Sequence, residues 1–320
     1  MKLDSKIFVA GHNGLVGTAI KKALLSKGYQ NLVLKTRSEL DLSSTIKVEE
    51  FFQKEKPEYV FLAAAKVGGI IANNTYRADF IYENLMIQNN IIYSAYKNGV
   101  KKLLFLGSSC IYPKNAPQPI KEEYLLTDTL EYTNEPYAIA KIAGLKMCEA
   151  FNLQYGCNFI SVMPTNLYGE NDNFDLNTSH VLPALIRKFY EGKLNKSNSV
   201  EVWGSGNPRR EFLHSSDMAQ ACIYIMENIN FNDLINNSKE IRNTHINIGY
   251  GSDVSIKELA TLIKNIVGFD GEIIYDKSKP DGTYQKLLDT SKLNSLGWKP
   301  KITLEKGVKE VFEWYINQKK

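Results

Sequence analysis

The first half of the chain alternates short apolar runs with longer amphipathic stretches, and this pattern constrains the fold more than any other feature. Each apolar run has the length of a buried strand, and the stretches between them read as helices, with apolar residues recurring at three and four positions. Such alternation is typical of βαβ units in a parallel sheet covered on both faces. The sequence therefore predicts an α/β fold of the Rossmann type, with a doubly wound parallel sheet.

Five strands and four helices are predicted in this half of the chain. The strands span residues 6–10, 31–35, 59–63, 102–107 and 158–163. The helices span residues 18–26, 46–54, 81–97 and 137–154.

Beyond about Gly169 the pattern loosens into polar loops broken by single helices, such as one over 181–190. We expect a first domain over 1–168, to which segments at about 210–250 return, and a smaller C-terminal α/β lobe over 169–320. Ser255 followed by Glu258 predicts a capping box that opens a helix through Val267, and Thr303 precedes a closing helix.

Composition indicates a globular protein, with 43% hydrophobic and 23% charged residues. The net charge of +4 is spread along the chain, so nucleic acid and membrane surfaces are not indicated as partners. The cysteines show neither a CxxC pair nor metal-ligand spacing, which predicts reduced thiols and no metal. Because the start lacks the apolar stretch of a signal peptide, we expect a cytoplasmic protein.

A glycine-rich segment follows the first predicted strand and opens a helix. Its spacing is GxxGxxG, with Gly11, Gly14 and Gly17 as the three glycines. Glycines in this place let the backbone approach a pyrophosphate at a helix N-terminus. A tight turn without a ligand can use the same glycines. The position at the end of the first strand favours a bound dinucleotide.

The position after the second strand indicates which dinucleotide. NAD sites usually place a carboxylate there for the ribose 2′-hydroxyl, whereas this chain has Lys35-Thr36-Arg37. A guanidinium suits a 2′-phosphate, so the sequence predicts NADP as the cofactor. The alternative is that Arg37 is a solvated loop residue.

Tyr137 and Lys141 are four residues apart in a predicted helix, which puts both side chains on one face. An ammonium stabilises a phenolate and makes a tyrosine usable for proton transfer near neutrality. Such spacings are common on helices, so the pair alone is weak. Ser108 and Ser109 follow the fourth strand directly, where side chains face the ligand crevice of an open α/β sheet. Three features thus converge on one cleft.

These features together resemble the extended short-chain dehydrogenase/reductase family of nucleotide-sugar enzymes. Longer blocks resemble the branch of that family that makes GDP-L-fucose, and they cover nearly the whole chain. The blocks are AAAKVGGI at 63–70, GSSCIYP at 107–113, PTNLYG at 164–169 and WGSG at 203–206.

The resemblance implies NADPH-dependent epimerisation at C3 and C5, then reduction at C4, of GDP-4-keto-6-deoxy-D-mannose. It makes Cys110 the base and His180 the acid of the inversions, while Ser108 and Tyr137 hold the enolate oxygen and Tyr137 protonates it. Cys110 could instead be a packed residue, and His180 could cap the helix it precedes.

The resemblance also implies the binding residues. The cofactor would contact Gly11, His12, Asn13, Gly14, Leu15, Val16, Gly17, Arg37, Asp41, Leu42, Ala63, Ala64, Ala65, Lys141, Pro164, Asn166, Leu167 and His180. The nucleotide sugar would contact Ser108, Asn166, Lys188, Trp203, Arg210 and Lys286. Asp41 could instead only start the next helix, and Trp203 could pack the lobe.

Two positions depart from the family pattern. Asn13 stands where many relatives carry a basic residue near the 2′-phosphate, which leaves Arg37 as the main cation. Lys188 stands where relatives often have arginine, and a lysine cannot make the bidentate hydrogen bonds to phosphate that an arginine makes.

Two alternatives remain open at this point. One is a C4 reductase, with or without epimerase activity, of a related GDP-4-keto sugar such as a 6-deoxy-heptose. The other is a catalytically silent NADP-binding sensor, although such proteins often lose the tyrosine or the lysine. The family usually dimerises through two helices per subunit, which predicts a homodimer formed by the helices at 81–97 and 137–154.

Overall fold

Strands and helices alternate along the chain, and the structure, a computed structural model, describes residues 1–176, 178–235, 240–279 and 281–319. In the first half the elements are β1 (Ile7–Ala10), α1 (Leu15–Ser26), β2 (Leu32–Val33), α2 (Thr45–Glu55), β3 (Tyr59–Leu62), α3 (Ile70–Thr75), α4 (Arg77–Lys97), β4 (Lys102–Leu106), α5 (Glu135–Tyr155) and β5 (Phe159–Pro164). The second half contains β6 (Asn166–Tyr168), α6 (Val181–Leu194), β7 (Ser199–Trp203), β8 (Arg209–His214), α7 (Ser215–Asn228), β9 (Ile246–Ile248), β10 (Asp253–Ser255), α8 (Ile256–Val267), β11 (Glu272–Asp276), β12 (Gln285–Lys286), α9 (Ser291–Ser295) and α10 (Leu304–Asn317).

The central sheet has six parallel strands in the order β2-β1-β3-β4-β5-β9. The predicted doubly wound parallel sheet is therefore confirmed. Its sixth strand, β9, comes from the second half of the chain. Because all strands run the same way, their carboxyl ends meet at one edge, where ligands of open α/β sheets bind.

Helices cover both faces of this sheet because the strands are apolar on both sides. Along β1, Ile7 and Val9 belong to the core beneath α1 and α7. Phe8 and Ala10 point the other way, into the core beneath α2, α4 and α5. This alternation follows from the two-residue period of a strand.

The second lobe is built on β8, which pairs with β6, β10 and β12. A separate parallel pair joins β7 and β11. Helices α6, α8 and α10 enclose the apolar core of this lobe. The capping box is confirmed: the Ser255 hydroxyl accepts a hydrogen bond from the Glu258 amide, and the Glu258 carboxylate accepts one from the Ser255 amide.

Several predicted boundaries were wrong by a few residues. Helix α1 begins at Leu15 rather than at residue 18, and α4 begins at Arg77 rather than at residue 81. Strand β2 has only two residues. Helix α3 was not predicted, because six residues are too few to show a helical period. Within the described ranges, no helix combines the length and the apolar character needed to cross a membrane.

Candidate active site

A cleft of about 740 Å³ lies at the carboxyl ends of the central strands. Most of the predicted site residues line it. They are Gly11, Gly14, Leu15, Val16, Gly17, Arg37, Asp41, Leu42, Ala63, Ala64, Ala65, Ser108, Cys110, Tyr137, Lys141, Pro164, Asn166, Leu167, His180 and Lys286.

The glycine turn between β1 and α1 is shaped by close backbone contacts. Gly11 has a φ of +84°, and a Cβ there would lie 2.7 Å from the backbone nitrogen of Ala64. A Cβ on Gly17 would lie 2.0 Å from the carbonyl oxygen of Gly11. At Gly14 the nearest atom would be 3.5 Å away. Gly11 and Gly17 are therefore required by the turn itself, whereas Gly14 leaves room beside the cleft.

The N-terminus of α1 opens onto this turn. Its first turn contains no acidic residue, and Gly14 at the N-cap provides no side chain. The unpaired amides and the helix dipole therefore present a positive end to the cleft, which suits a pyrophosphate.

The loops after β2 form another part of the cleft. The Arg37 side chain is 82% exposed, and its guanidinium lies 3.7 Å from the Glu83 carboxylate. Asp41 accepts hydrogen bonds from the amide and the hydroxyl of Ser43, at 3.0 and 2.6 Å. Asp41 thus fixes the turn before α2, whose N-cap is Ser44, while it also lines the cleft.

Helix α5 brings the proton-transfer pair into the cleft. The Lys141 side chain is buried, and its ammonium donates a hydrogen bond of 2.9 Å to the carbonyl oxygen of Leu106. The same ammonium lies 5.7 Å from the centre of the Tyr137 ring. The predicted spacing therefore does place the two side chains together.

Ser108 and Cys110 form a tight turn directly after β4. The Ser108 hydroxyl accepts a hydrogen bond of 3.3 Å from the Cys110 amide, at the start of a 3₁₀ turn over Ser109–Ile111. The Cys110 side chain is buried at the wall of the cleft. This turn explains how two nearby positions both reach the ligand side of the sheet.

Burial sets the pKa values of this cluster. It lowers the pKa of Lys141 to about 8 and raises the pKa of Tyr137 above its ordinary value. It also raises the pKa of the Cys110 thiol, while the ammonium of Lys286, the Ser108 hydroxyl and the ammonium of Lys141 act in the opposite direction. Burial lowers the pKa of Lys286, and Cys110 opposes that change. The thiol, the phenol and the two amines therefore influence one another's protonation.

His180 precedes α6 and lines the cleft. It occupies the N-cap position, but its side chain makes no capping hydrogen bond. The imidazole is accessible from the cleft, and the surrounding protein atoms lower its pKa by desolvation. The capping alternative for His180 is therefore not realised.

Five of the residues named from sequence do not line this cleft. Within the glycine turn, His12 is buried and the side chain of Asn13 is exposed. Lys188 and Trp203 meet in the second lobe, where the lysine ammonium lies 5.1 Å from the indole centre. Arg210 lies beside Gly282, and burial lowers the pKa of its guanidinium.

Other lining residues were missed by sequence reasoning. Four of them have a buried oxygen without a hydrogen-bond partner in the described part of the chain: Asn73, Asn134, Asp172 and Ser179. Burial also raises the pKa of Asp172 to about 7. Buried polar groups are usually paired, so these oxygens fit a ligand that fills the cleft. They lie on short or irregular segments, which give no periodic signal.

The fold and this site define an enzyme of the short-chain dehydrogenase/reductase type, with a serine, a tyrosine and a lysine beside a glycine turn that suits a dinucleotide. The sequence profile of the "NAD dependent epimerase/dehydratase family" matches residues 7–249. The chain belongs to this family.

Similar proteins cover nearly the whole chain. A putative GDP-L-fucose synthase 2 from Arabidopsis thaliana is 60% identical over 99% of this chain and 93% of its own length. The GDP-L-fucose synthase of Escherichia coli K12 is 54% identical over 97% of this chain and 96% of its own. Among solved structures, a GDP-mannoheptose C4 reductase from Campylobacter jejuni with NADP bound superposes with a TM-score of 0.92 at 52% identity, covering 99% of both chains.

Proposed function

We propose that the protein converts GDP-4-keto-6-deoxy-D-mannose into GDP-L-fucose, by epimerisation at C3 and C5 and NADPH-dependent reduction at C4. Two relatives that bear the name GDP-L-fucose synthase, one of them as putative, are 60% and 54% identical over almost the full chain and support the assignment. The assignment rests on one structural observation. The same cleft is lined by Cys110, Tyr137, Lys141 and His180. A reductase needs the phenol and the ammonium, and an epimerase also needs a base and an acid.

The residues present fit NADPH as the cofactor. The positive end of α1 would hold the pyrophosphate at Gly14, where the backbone leaves room. Arg37 would take the 2′-phosphate, since its guanidinium is exposed at the cleft, although it lies 3.7 Å from the Glu83 carboxylate. When bound, NADPH supplies the hydrogen and the electrons that reduce the C4 ketone.

At C3 and C5 the chain's own groups exchange protons. The C4 ketone acidifies both neighbouring carbons, so a base on one face and an acid on the other invert each centre. In this proposal Cys110 removes the proton as a thiolate. Burial raises the pKa of the thiol, and the cations of Lys286 and Lys141 partly oppose that change. His180 returns a proton from the opposite face, and both groups then reset by exchange with water.

At C4 the phenol of Tyr137 donates the proton that completes the alcohol, while the Ser108 hydroxyl hydrogen-bonds the same oxygen. The tyrosine is left as a phenolate. The buried ammonium of Lys141, held by the carbonyl of Leu106, stabilises that charge.

The nucleotide end of the substrate would lie in the second lobe. The indole of Trp203 is 44% exposed and has the ammonium of Lys188 at 5.1 Å and that of Lys279 at 5.5 Å from its centre. A partly exposed indole with two ammonium groups close to its ring suits a purine base with a diphosphate. Arg210 and Lys286 add positive charge toward the cleft.

A second candidate is a C4 reductase of a GDP-4-keto-heptose. The NADP-bound C4 reductase acting on GDP-mannoheptose, at 52% identity, supports it. Product analysis by NMR separates the two candidates. Supplied with NADPH and GDP-4-keto-6-deoxy-D-mannose, the protein should yield GDP-L-fucose. A product reduced at C4 but unchanged at C3 and C5 would favour the reductase, as would turnover of the heptose substrate alone.

We also propose that two copies pair through α4 and α5. These helices pack against each other, and their outer surface exposes large residues, among them Tyr82 at 64%, Tyr93 at 49% and Leu153 at 50%. Light scattering should give a dimer mass, and Tyr93→Glu should lower it. A monomer mass for the unmodified protein would contradict the pairing.

For location we propose the cytoplasm, as the sequence predicts. Fractionation of cells that express a tagged chain should recover it with cytoplasmic markers; recovery with membranes or in the medium would contradict this.

A further inference from the structure

Glu83 on α4 bridges two cations at the cofactor side of the cleft. Its carboxylate lies 3.7 Å from the guanidinium of Arg37 and 2.5 Å from the ammonium of Lys66. Asp79 lies one turn earlier on the same helix and also approaches Lys66, at 3.4 Å. Glu83 and Asp79 therefore both pair with Lys66, but only Glu83 also forms an ion pair with Arg37 in the described part of the chain.

The two carboxylates differ in where they lie. Glu83 lines the cleft, and its side chain is 26% exposed. Asp79 does not line the cleft, and its side chain is 56% exposed. A ligand that reaches Arg37 therefore meets Glu83 together with its partner Lys66, which also lines the cleft, but does not meet Asp79.

A 2′-phosphate and Glu83 would compete for the same guanidinium. A phosphate beside a carboxylate is also repelled by it. A ribose 2′-hydroxyl meets neither penalty, because a carboxylate is the group that usually accepts its hydrogen bond in NAD sites. Asn13, at the glycine turn, adds no positive charge to offset Glu83.

We propose that Glu83 sets the balance between NADPH and NADH at this site, by holding Arg37 in an ion pair that a 2′-phosphate must break and a 2′-hydroxyl need not. The inference rests on the proposed function only in taking a nicotinamide dinucleotide as the cofactor. Glu83 is a specificity-determining residue in this account, and it takes no part in the proton transfers.

The test is a pair of binding titrations, with NADPH and with NADH, on the full-length protein in low salt. Glu83→Gln keeps the size and polarity of the side chain and removes its charge. We expect the ratio of NADPH to NADH affinity to rise about fivefold in this variant, a modest change because the ion pair is exposed. Asp79→Asn removes the matched charge outside the cleft and should leave the ratio as in the unmodified protein.

Two further measurements make the result decisive. In an Arg37→Met background Glu83→Gln should no longer change the ratio, because the two residues act through one ion pair. The effect should also shrink in high salt. An unchanged ratio in Glu83→Gln, or an equal change in Asp79→Asn, overturns the inference. Failure of the proposed cofactor looks different, because the unmodified protein would then bind neither dinucleotide.

Discussion

The ammonium of Lys141 on α5 donates a 2.9 Å hydrogen bond to the carbonyl oxygen of Leu106, the last residue of β4. This bond joins the helix that bears Tyr137 to the strand that leads into Ser108. Burial lowers the pKa of Lys141 to about 8, so the cation is present below that pH and is lost as the pH rises through it. The rate of C4 reduction should therefore fall above a pH of about 8, because the phenolate of Tyr137 loses its partner.

Single-turnover oxidation of NADPH across this pH range checks the prediction. Lys141→Arg keeps its charge at high pH, so its rate should show no such fall, whatever its overall level. Lys141→Met should be slow at every pH. A wild-type rate that rises steadily through a pH of 8 would contradict the role given to the lysine.

Tyr137→Phe should reduce the C4 ketone roughly 100- to 10,000-fold more slowly, since it removes the proton donor. Exchange of protons at C3 and C5 should stay measurable, because Cys110 and His180 are unchanged and Ser108 can still hold the enolate oxygen. NADPH oxidation measures the first step, and uptake of deuterium from heavy water, followed by NMR, measures the second. Equal loss of both would mean that the phenol also serves the epimerisation.

Cys110→Ala should show the reverse pattern, with deuterium uptake at C3 and C5 lowered roughly 100-fold or more. Cys157 offers a matched control, because it is a partly exposed cysteine that does not line the cleft. Cys157→Ala should leave deuterium uptake unchanged. Normal uptake in Cys110→Ala would remove the base assignment.

Two alanine substitutions in the glycine turn should have different effects. Gly17→Ala places a Cβ against the backbone of Gly11 at 2.0 Å, so it should lower the free energy of unfolding by about 1–3 kcal/mol. Gly14→Ala meets no such contact and should leave stability nearly unchanged while weakening NADPH binding, because the methyl group faces the pyrophosphate position. Thermal unfolding and NADPH titration measure the two effects. A stable Gly17→Ala protein would show that the turn can relax.

Trp203→Ala should raise the KM for the nucleotide sugar about tenfold and leave NADPH affinity unchanged, because the indole lies in the second lobe with two lysine ammonium groups close to its ring. Steady-state kinetics and NADPH titration separate the two ligands. If the KM stayed the same, the tryptophan would be assigned to lobe packing instead.

The sequence predicted the parts of the site that depend on local pattern. Two such parts are the glycine turn, with Gly11 and Gly17, and the pair of Tyr137 and Lys141. In each of them the residues lie close together along the chain, so their spacing alone indicates their geometry. Lys286 could be named only by resemblance, because its strand β12 has two residues and shows no period.

Other features of the site depend on packing between distant segments. Glu83 reads as an ordinary surface residue of a helix, and it meets Arg37 only because α4 lies beside the loop after β2. Asn73 on α3 and Asp172 in the loop after β6 each have an unpaired oxygen at the cleft, although these two segments are far apart in sequence. The periodicity of the sequence does not predict such contacts between distant segments.

The reaction centre also draws on residues far apart in sequence, since Ser108 follows β4 while Lys286 arrives on β12, beside β8. During synthesis the glycine turn, Ser108 and Tyr137 therefore leave the ribosome well before Lys286 does. Folds that depend on contacts of such long range form slowly. Catalytic activity in this protein should thus appear only after β12 has paired with β8, which makes turnover a report of contacts between segments that are far apart in the chain.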